Sequence, residues 1–341
     1  MGLHDIPKVE KPQVYIDRAF GAASSKASAL KTKLSHREKD PIERLRRLEM
    51  ARLSAVSSLL CRDLKAITKS FPSFDQLPGF YLELIKLLVD IGAVKKALAA
   101  TQWAASNTER FYKAYEGRLR RCRDARSISR YRCEFYGRVS SLVKQIKGEL
   151  ENLEEARRIF RKLPTIKTSM PTVVIAGFPN VGKTSLLKAL TGSEPEIAYY
   201  PFTTKHIMIG YLKQGESKIQ FIDTPGLLDR PLSRRNRIEL QAVAALKHLA
   251  DVVVFVLDPS QNCGFSLDEQ LRLLSEIEKG FRKRFVVVIN KSDLMENDEI
   301  NSLAGRLSSR WRLVLAVSTI KGDGVGLLKE RVLSLCQKTE P

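Results

Sequence analysis

One stretch limits what this chain can fold into more than any other. Gly177-Phe178-Pro179-Asn180-Val181-Gly182-Lys183-Thr184 matches G-x-x-x-x-G-K-[ST] and stands between the β-branched run Thr172 to Ala176 and an amphipathic segment, Lys183 to Leu190. The pattern needs a strand, a glycine-rich turn and a helix in that order, because the turn amides wrap a phosphate group at the positive end of the helix. In that setting Lys183 reaches the β- and γ-phosphates, Thr184 binds Mg²⁺, and Ser185 belongs to the same cradle. The flanking sequence agrees. Ile219 to Ile222, Val252 to Leu257, Phe285 to Ile289 and Leu313 to Val317 are unbroken apolar runs of the kind that strands covered on both faces require. Amphipathic segments alternate with them: Arg235 to Leu249, Leu267 to Glu278 and Val325 to Leu335. The expected fold from Pro171 onward is an α/β domain with a mostly parallel, doubly wound sheet.

Three further motifs follow in an order that specifies the ligand. Asp223-Thr224-Pro225-Gly226 ends a predicted strand, so Asp223 emerges at the carboxyl edge of the sheet, where it can hold a metal-bound water while the Gly226 amide reports the γ-phosphate. Asn290-Lys291-Ser292-Asp293 follows the run ending at Ile289. Its Asp293 carboxylate can accept from the N1–H and the exocyclic amine of guanine, and adenine offers neither donor on that edge. A buried carboxylate left unpaired is costly, so adenine is rejected. Ser318-Thr319-Ile320 sits after the last predicted strand, where related proteins contact guanine with S-A-x; Thr319 replaces the usual Ala. Between the phosphate loop and Asp223 lies Tyr200-Pro201-Phe202-Thr203-Thr204-Lys205, where a switch segment must carry a threonine to Mg²⁺ and the γ-phosphate. Thr204 is expected in that role, with Thr203 the alternative and Phe202 beside them. The expected cofactors are GTP or GDP with Mg²⁺, and Lys183, Thr204 and Gly226 are the expected catalytic groups.

The first half has a different texture. From about Pro41 to Arg161 apolar residues recur at helical spacing, as in Ile42, Leu45, Leu48, Leu53 and Val56, which predicts an α-helical bundle. Breaks fall at Phe71-Pro72 and at Leu77-Pro78-Gly79, and Asn107-Thr108-Glu109 is expected to cap the start of a further helix. The domain boundary is placed between Leu163 and Ser169, giving a helical domain over 1–165 and the nucleotide-binding domain over 166–341.

Residues 1–165 hold 34 Lys/Arg against 19 Asp/Glu, a net +15 of the chain's +20. A one-sided basic excess attracts polyanions, nucleic-acid phosphates above all, by neutralising charge and releasing counterions. Arg118, Arg120, Arg121, Arg123, Arg126, Arg130, Arg132 and Arg138, interleaved with Tyr131, Phe135 and Tyr136, mix guanidinium groups with aromatics as phosphate clamps and stacking groups would. Five cysteines without a C-x-x-C pair do not look like a disulfide framework or a zinc site, and the most apolar stretch, Phe80 to Ala100, is broken by Glu83, Lys86, Asp90, Lys95 and Lys96. A reduced cytoplasmic protein without a membrane partner is expected, as a monomer, since no long heptad run occurs.

Taken together these motifs resemble the Obg-related branch of translation GTPases, in which G-F-P-N-x-G-K and Y-P-F-T-T occur together. Within it the chain is most similar to the Nog family of nucleolar GTP-binding proteins. The similarity is carried by Arg235-Asn236-Arg237-Ile238-Glu239-Leu240-Gln241-Ala242, Ala245-Leu246-Lys247-His248-Leu249 and Asp258-Pro259-Ser260-Gln261-Asn262-Cys263-Gly264-Phe265-Ser266. In the helical half Phe71-Pro72, Pro78-Gly79-Phe80-Tyr81 and Lys96-Ala97-Leu98 carry it. The resemblance implies a role in large ribosomal subunit assembly, with the helical domain docked on ribosomal RNA of the subunit or its precursor, beside ribosomal proteins. It also suggests the short archaeal-type form. An RNA-binding scaffold with structural GTP is one alternative; an Obg-type regulator of mature ribosomes is another, against which the helical first half speaks. Leu227 and Leu228 stand where some GTPases have a water-orienting glutamine, so intrinsic turnover is expected to be slow and stimulated by a partner. Asn180 resembles the asparagine with which related GTPases bind K⁺ against the phosphates.

Overall fold

The computed structural model describes residues 3–34, 39–201, 206–215, 217–230 and 235–337. It divides the chain into two compact units, one of residues 1–76 and 88–162, the other of residues 77–87 and 163–341.

The first unit is helical: α1 (Pro12–Leu34), α2 (Pro41–Ser70), α4 (Ile91–Arg121), α5 (Ala125–Gln145) and α6 (Lys147–Phe160). Each N-terminus that carries a side-chain cap uses aspartate. Asp40 accepts from the Ile42 amide with Pro41 in the first turn, Asp90 from Ala93, and Asp124 from Ser127. Helix α2 lies against α1 and α4 and buries Leu53, Val56, Leu60 and Leu64 completely. The break expected at Asn107 does not occur, since α4 runs on to Arg121. Asn107 Nδ2 donates to the Trp103 carbonyl at 2.9 Å and Thr108 Oγ1 to the Ala104 carbonyl at 2.8 Å. These side chains bond back one turn inside the helix and cap nothing.

The second unit is built on a seven-stranded sheet of order β2-β3-β4-β1-β5-β6-β7. Its strands are β1 (Thr172–Ala176), β2 (Glu196–Ala198), β3 (Ile207–Gln214), β4 (Ser217–Asp223), β5 (Val252–Leu257), β6 (Arg284–Ile289) and β7 (Val314–Ala316). Strands β4, β1, β5, β6 and β7 run parallel, while β2 and β3 form an antiparallel edge. The helices between them are α7 (Lys183–Thr191), α8 (Arg237–Leu249), α9 (Leu267–Phe281), α10 (Asn297–Ser308) and α11 (Val325–Gln337). Every residue of β1 and β5 is buried, as unbroken β-branched strands at the centre of such a sheet demand. Helices α8 and α9 both open with a capping box, Asn236 with Glu239 and Ser266 with Glu269.

Helix α3 (Gly79–Leu88) comes from the middle of the first half of the chain, yet residues 77–87 belong to the sheet-containing unit. Phe80, Leu84 and Ile85 are its buried face. The Tyr81 hydroxyl lies 3.0 and 3.1 Å from the carbonyls of Pro164 and Ile166 and accepts from the Ile166 amide. A side chain at Gly79 would press on His248 of α8. The Phe80 ring lies 6.3 Å from that of Tyr200, which is fully buried and donates its hydroxyl to the Ala242 carbonyl at 2.8 Å.

Candidate nucleotide-binding site

Parallel strands of matched register end on one edge, and the loops leaving that edge carry the expected site residues. Ile175 of β1 is opposite Asp223 of β4, Leu257 of β5 is opposite Ile289 of β6, and Ile289 is opposite Ala316 of β7. Gly177, Asp223, Asp258, Asn290 and Ser318 therefore emerge side by side. Strand β1 has β4 on one side and β5 on the other, so the chain reverses its direction of sheet growth there, where open α/β sheets bind ligands.

The loop after β1 is shaped by backbone that only certain residues tolerate. Gly177 has φ +140°, and a Cβ there would lie 2.5 Å from the Val256 carbonyl oxygen. Gly182 has φ +96°, and a Cβ there would strike the Asn290 amide nitrogen. Asn180 turns the loop at φ +63° and is exposed, with Pro179 half-buried before it. Gly182 caps α7 without a side chain, so the first amides of that helix have no side-chain acceptor and form an anion-binding end. Lys183, 7% exposed, donates to the carbonyls of Gly177 and Phe178 at 2.9 and 2.8 Å, so its ammonium is already inside the loop. Val181 is buried, Ser185 is exposed, and the Phe178 ring lies 4.2 Å from the Phe265 ring.

Thr184 and Asp223 are the residues that could hold a metal ion. Thr184 Oγ1 donates to Asp223 Oδ2 at 2.7 Å, and Asp223 Oδ1 is buried without a hydrogen-bond partner among the described residues. Burial pushes the Asp223 carboxyl above its usual range, with Lys183 opposing the shift. An anionic oxygen shut away from water calls for a cation, and a carboxylate with a hydroxyl is the hard oxygen set that Mg²⁺ takes. The residues present fit that ion. The turn after Asp223 is tied to the phosphate loop, since the Gly177 amide donates to the Leu228 carbonyl at 3.1 Å. Gly226 has φ +84°. Leu227 and Leu228 are buried and contribute no polar side chain.

The residues expected to read the base follow β6 and β7, on the other side of β5 from the phosphate loop. Asn290 is fully buried, and its Nδ2 donates to the Val181 carbonyl at 2.8 Å, which ties the two motifs together. Lys291 has φ +59° and pairs with Asp258 at 2.5 Å. Ser318 is buried and donates to Asp293 Oδ1 at 2.6 Å. That hydrogen bond, the largest influence on it, holds the Asp293 carboxyl below its usual range, so it is ionised at neutral pH. Thr319 is half-buried and Ile320 is 85% exposed. Phe202, Thr203 and Thr204 lie outside the described residues.

Sequence reasoning missed the bracing of this edge. Asp258 accepts from the amides of Ser260 and Cys263 as well as from Lys291, and fully buried Gln270 donates to the Asp258 and Phe265 carbonyls. The segment carrying Asp258 and Phe265 had drawn notice only through resemblance. It also missed Asp229, and it noticed Arg235 only through resemblance; the two close on Gly226, the carboxylate on its amide and the guanidinium on its carbonyl.

In the helical unit the basic and aromatic residues separate. Phe135 is core, and Tyr136 stacks on Phe20 with centroids 4.2 Å apart. Neither is placed to stack on a base. Tyr131 is half-buried, with Arg118 and Arg130 over its ring at 5.9 and 5.3 Å. A groove lined by Lys113, Gly117, Arg118, Arg121 and Tyr131 runs beside it, and Arg123 and Arg126 are exposed nearby in sequence.

Two family models match the chain. The NOG1 N-terminal helical domain covers residues 4–167, and the nucleolar GTP-binding protein 1 (NOG1) model covers residues 237–293. An uncharacterised protein of Methanocaldococcus jannaschii is 39% identical over 83% of this chain and 80% of its own length. The nucleolar GTP-binding protein 1 of Caenorhabditis elegans is 33% identical over 88% of this chain, which spans 45% of that longer protein. Among solved structures, a nucleolar GTP-binding protein 1 chain from Plasmodium falciparum is 31% identical over 52% of this chain and 91% of its own, with a TM-score of 0.45. Among the described residues no helix is long and apolar enough to cross a membrane.

Proposed function

The chain belongs to the nucleolar GTP-binding protein 1 family, and on that premise we propose that it binds GTP with Mg²⁺ and hydrolyses it slowly, as a switch in large ribosomal subunit assembly. The observation that carries the reading is the placement of Asp293, oriented by Ser318, on the same sheet edge as the phosphate loop and locked to it through Asn290 and Val181. Such an edge takes a guanine at one end and phosphates at the other.

The α7 amides and Lys183 bind and orient the phosphates; Thr184 would hold Mg²⁺, and Asp223 would hold a water bound to it. Mg²⁺ held there would supply positive charge against the phosphates. Thr204, outside the described residues, is the threonine proposed to join Thr184 and Asp223 from the switch segment. Leu227 occupies the position of the water-orienting glutamine, and neither it nor Leu228 offers a polar side chain to the attacking water, so the chain alone turns over slowly. The ribosomal particle is the partner that speeds it, and K⁺ beside Asn180 is a second source of positive charge. The basic groove beside Tyr131 supports RNA phosphates as the ligand of the helical unit.

Phosphate release by the purified chain with Mg²⁺ tests this reading. With GTP the expected rate is on the order of 10⁻⁴ to 10⁻² per second, the range of unassisted GTPases. ATP is expected to be at least roughly a hundredfold poorer, because Asp293 has no donor to meet on adenine. KCl is expected to exceed NaCl; equal rates would remove the K⁺ role. Equal use of ATP and GTP, or no release from either, would sink the assignment as a GTPase.

A further inference from the structure

The Gly226 amide is the donor on which recognition of a γ-phosphate depends, and in this structure it is engaged by the chain itself. It donates to Asp229 Oδ2 at 2.8 Å. The other oxygen of that carboxylate faces Arg235 Nη2 at 3.6 Å, and Arg235 Nη1 donates to the Gly226 carbonyl at 3.1 Å. Arg235 also donates to the Arg230 carbonyl at 3.3 Å. Its side chain is fully buried, its Nε has no partner among the described residues, and the Asp229 side chain is only 11% exposed. Both peptide groups of Gly226 are therefore held, the amide by a carboxylate and the carbonyl by a guanidinium, and the two charged groups also face each other.

We propose that Asp229 is a specificity-determining residue that stands in for the γ-phosphate, so that the chain in this state is closed to GTP and open to GDP. The inference rests on the reading that nucleotide phosphates occupy the loop after β1. A carboxylate and a phosphate are both anionic oxygen acceptors. One N–H cannot serve both at full strength, and two anions at a single donor repel. GDP has no γ-phosphate and leaves the Asp229 contact in place. GTP must displace it, and the displaced carboxylate leaves Arg235 buried without its anion, which is costly. The guanidinium must then follow the carboxylate or take another anion. Asp229 thus sets the cost of entering the GTP state, and Arg235 carries that cost into the segment that leads to α8.

The test compares GDP with a β,γ-imido GTP analogue on the full chain and on two variants, by equilibrium titration with Mg²⁺. Asp229→Ala removes the competitor. Asp229→Asn keeps the shape and an acceptor for the Gly226 amide but removes the charge that repels a γ-phosphate. GDP affinity is expected to stay within about twofold of the parent in both, which also reports that the site is folded. The analogue is expected to bind about tenfold tighter to Asp229→Ala, the size of one charge-assisted hydrogen bond no longer contested, and by a smaller factor to Asp229→Asn. An unchanged ratio of analogue to GDP affinity in both variants, or an equal change for both nucleotides, overturns the proposal. A parent chain that binds neither nucleotide would instead sink the functional reading beneath it.

Discussion

Replacing Asp293 by Asn is expected to move the base preference from guanine to xanthine. Guanine presents two donors on its N1 and C2 edge, and the ionised carboxylate offers two acceptors. An amide offers one acceptor and one donor, which matches the N1–H and C2 carbonyl of xanthine. The substitution leaves the support intact, because Ser318 donates at 2.6 Å to an oxygen that asparagine retains. Against guanine the new NH₂ meets the exocyclic amine, donor against donor, and a polar mismatch of this kind in a site built for hydrogen bonding costs at least roughly a hundredfold. In competition for a bound fluorescent GDP, XTP should become the better competitor and GTP should fall by that factor. A variant that kept its preference for GTP would place guanine elsewhere.

The second large effect is expected at Lys183. Its ammonium is enclosed by the loop and bonded to the Gly177 and Phe178 carbonyls, so it is held ready among the groups that surround the phosphates. Lys183→Ala removes the loop's ammonium together with its charge-assisted contacts. Each such contact is worth about 1.5–3 kcal/mol, so GDP and the GTP analogue should both weaken by on the order of a hundredfold or more. The fold should persist, because the loop is also held by Asn290 on Val181 and by the Leu228 carbonyl on Gly177. Calorimetric titration, with circular dichroism to show that the variant is folded, measures this. Undiminished binding would remove Lys183 from the phosphate site.

Which parts of this arrangement the sequence reveals follows from what fixes each part. Strands β1, β4, β5 and β6 are legible because a strand covered on both faces has little choice but β-branched and apolar residues, and half-buried β7 is legible because its short run is apolar as well. The edge pair β2 and β3 escapes. Glu196 and Ile197 are exposed, and Gly210 interrupts β3 because a Cβ there would lie 2.7 Å from Thr191 of α7. Helix α10 escapes because only Leu303 and Leu307 are buried, too few to give a period. The membership of α3 escapes for a different reason. Local pattern identifies an amphipathic helix at Phe80, Leu84 and Ile85 but says nothing of which core those residues enter, and a boundary drawn once along the chain cannot describe a unit that takes residues 77–87 from the middle of the other. In the site, the motif residues are legible because glycines at positive φ and charged groups at fixed spacing leave few substitutes. The pairing of Asp229 with Arg235 is not, because an ion pair across a turn can be made from many spacings. The aromatic and arginine cluster of α5 shows the opposite error: composition grouped Phe135 with Tyr131, although helical geometry sends one into the core and leaves the other at the surface.

The central claim is that the nucleotide gates docking on the large ribosomal subunit or its precursor. Co-sedimentation of the chain with these particles at near-physiological salt, with the β,γ-imido GTP analogue in one arm and GDP in the other, measures it directly. The account predicts strong binding with the analogue and its loss with GDP. Binding indifferent to the nucleotide, or no binding in either arm, would contradict it.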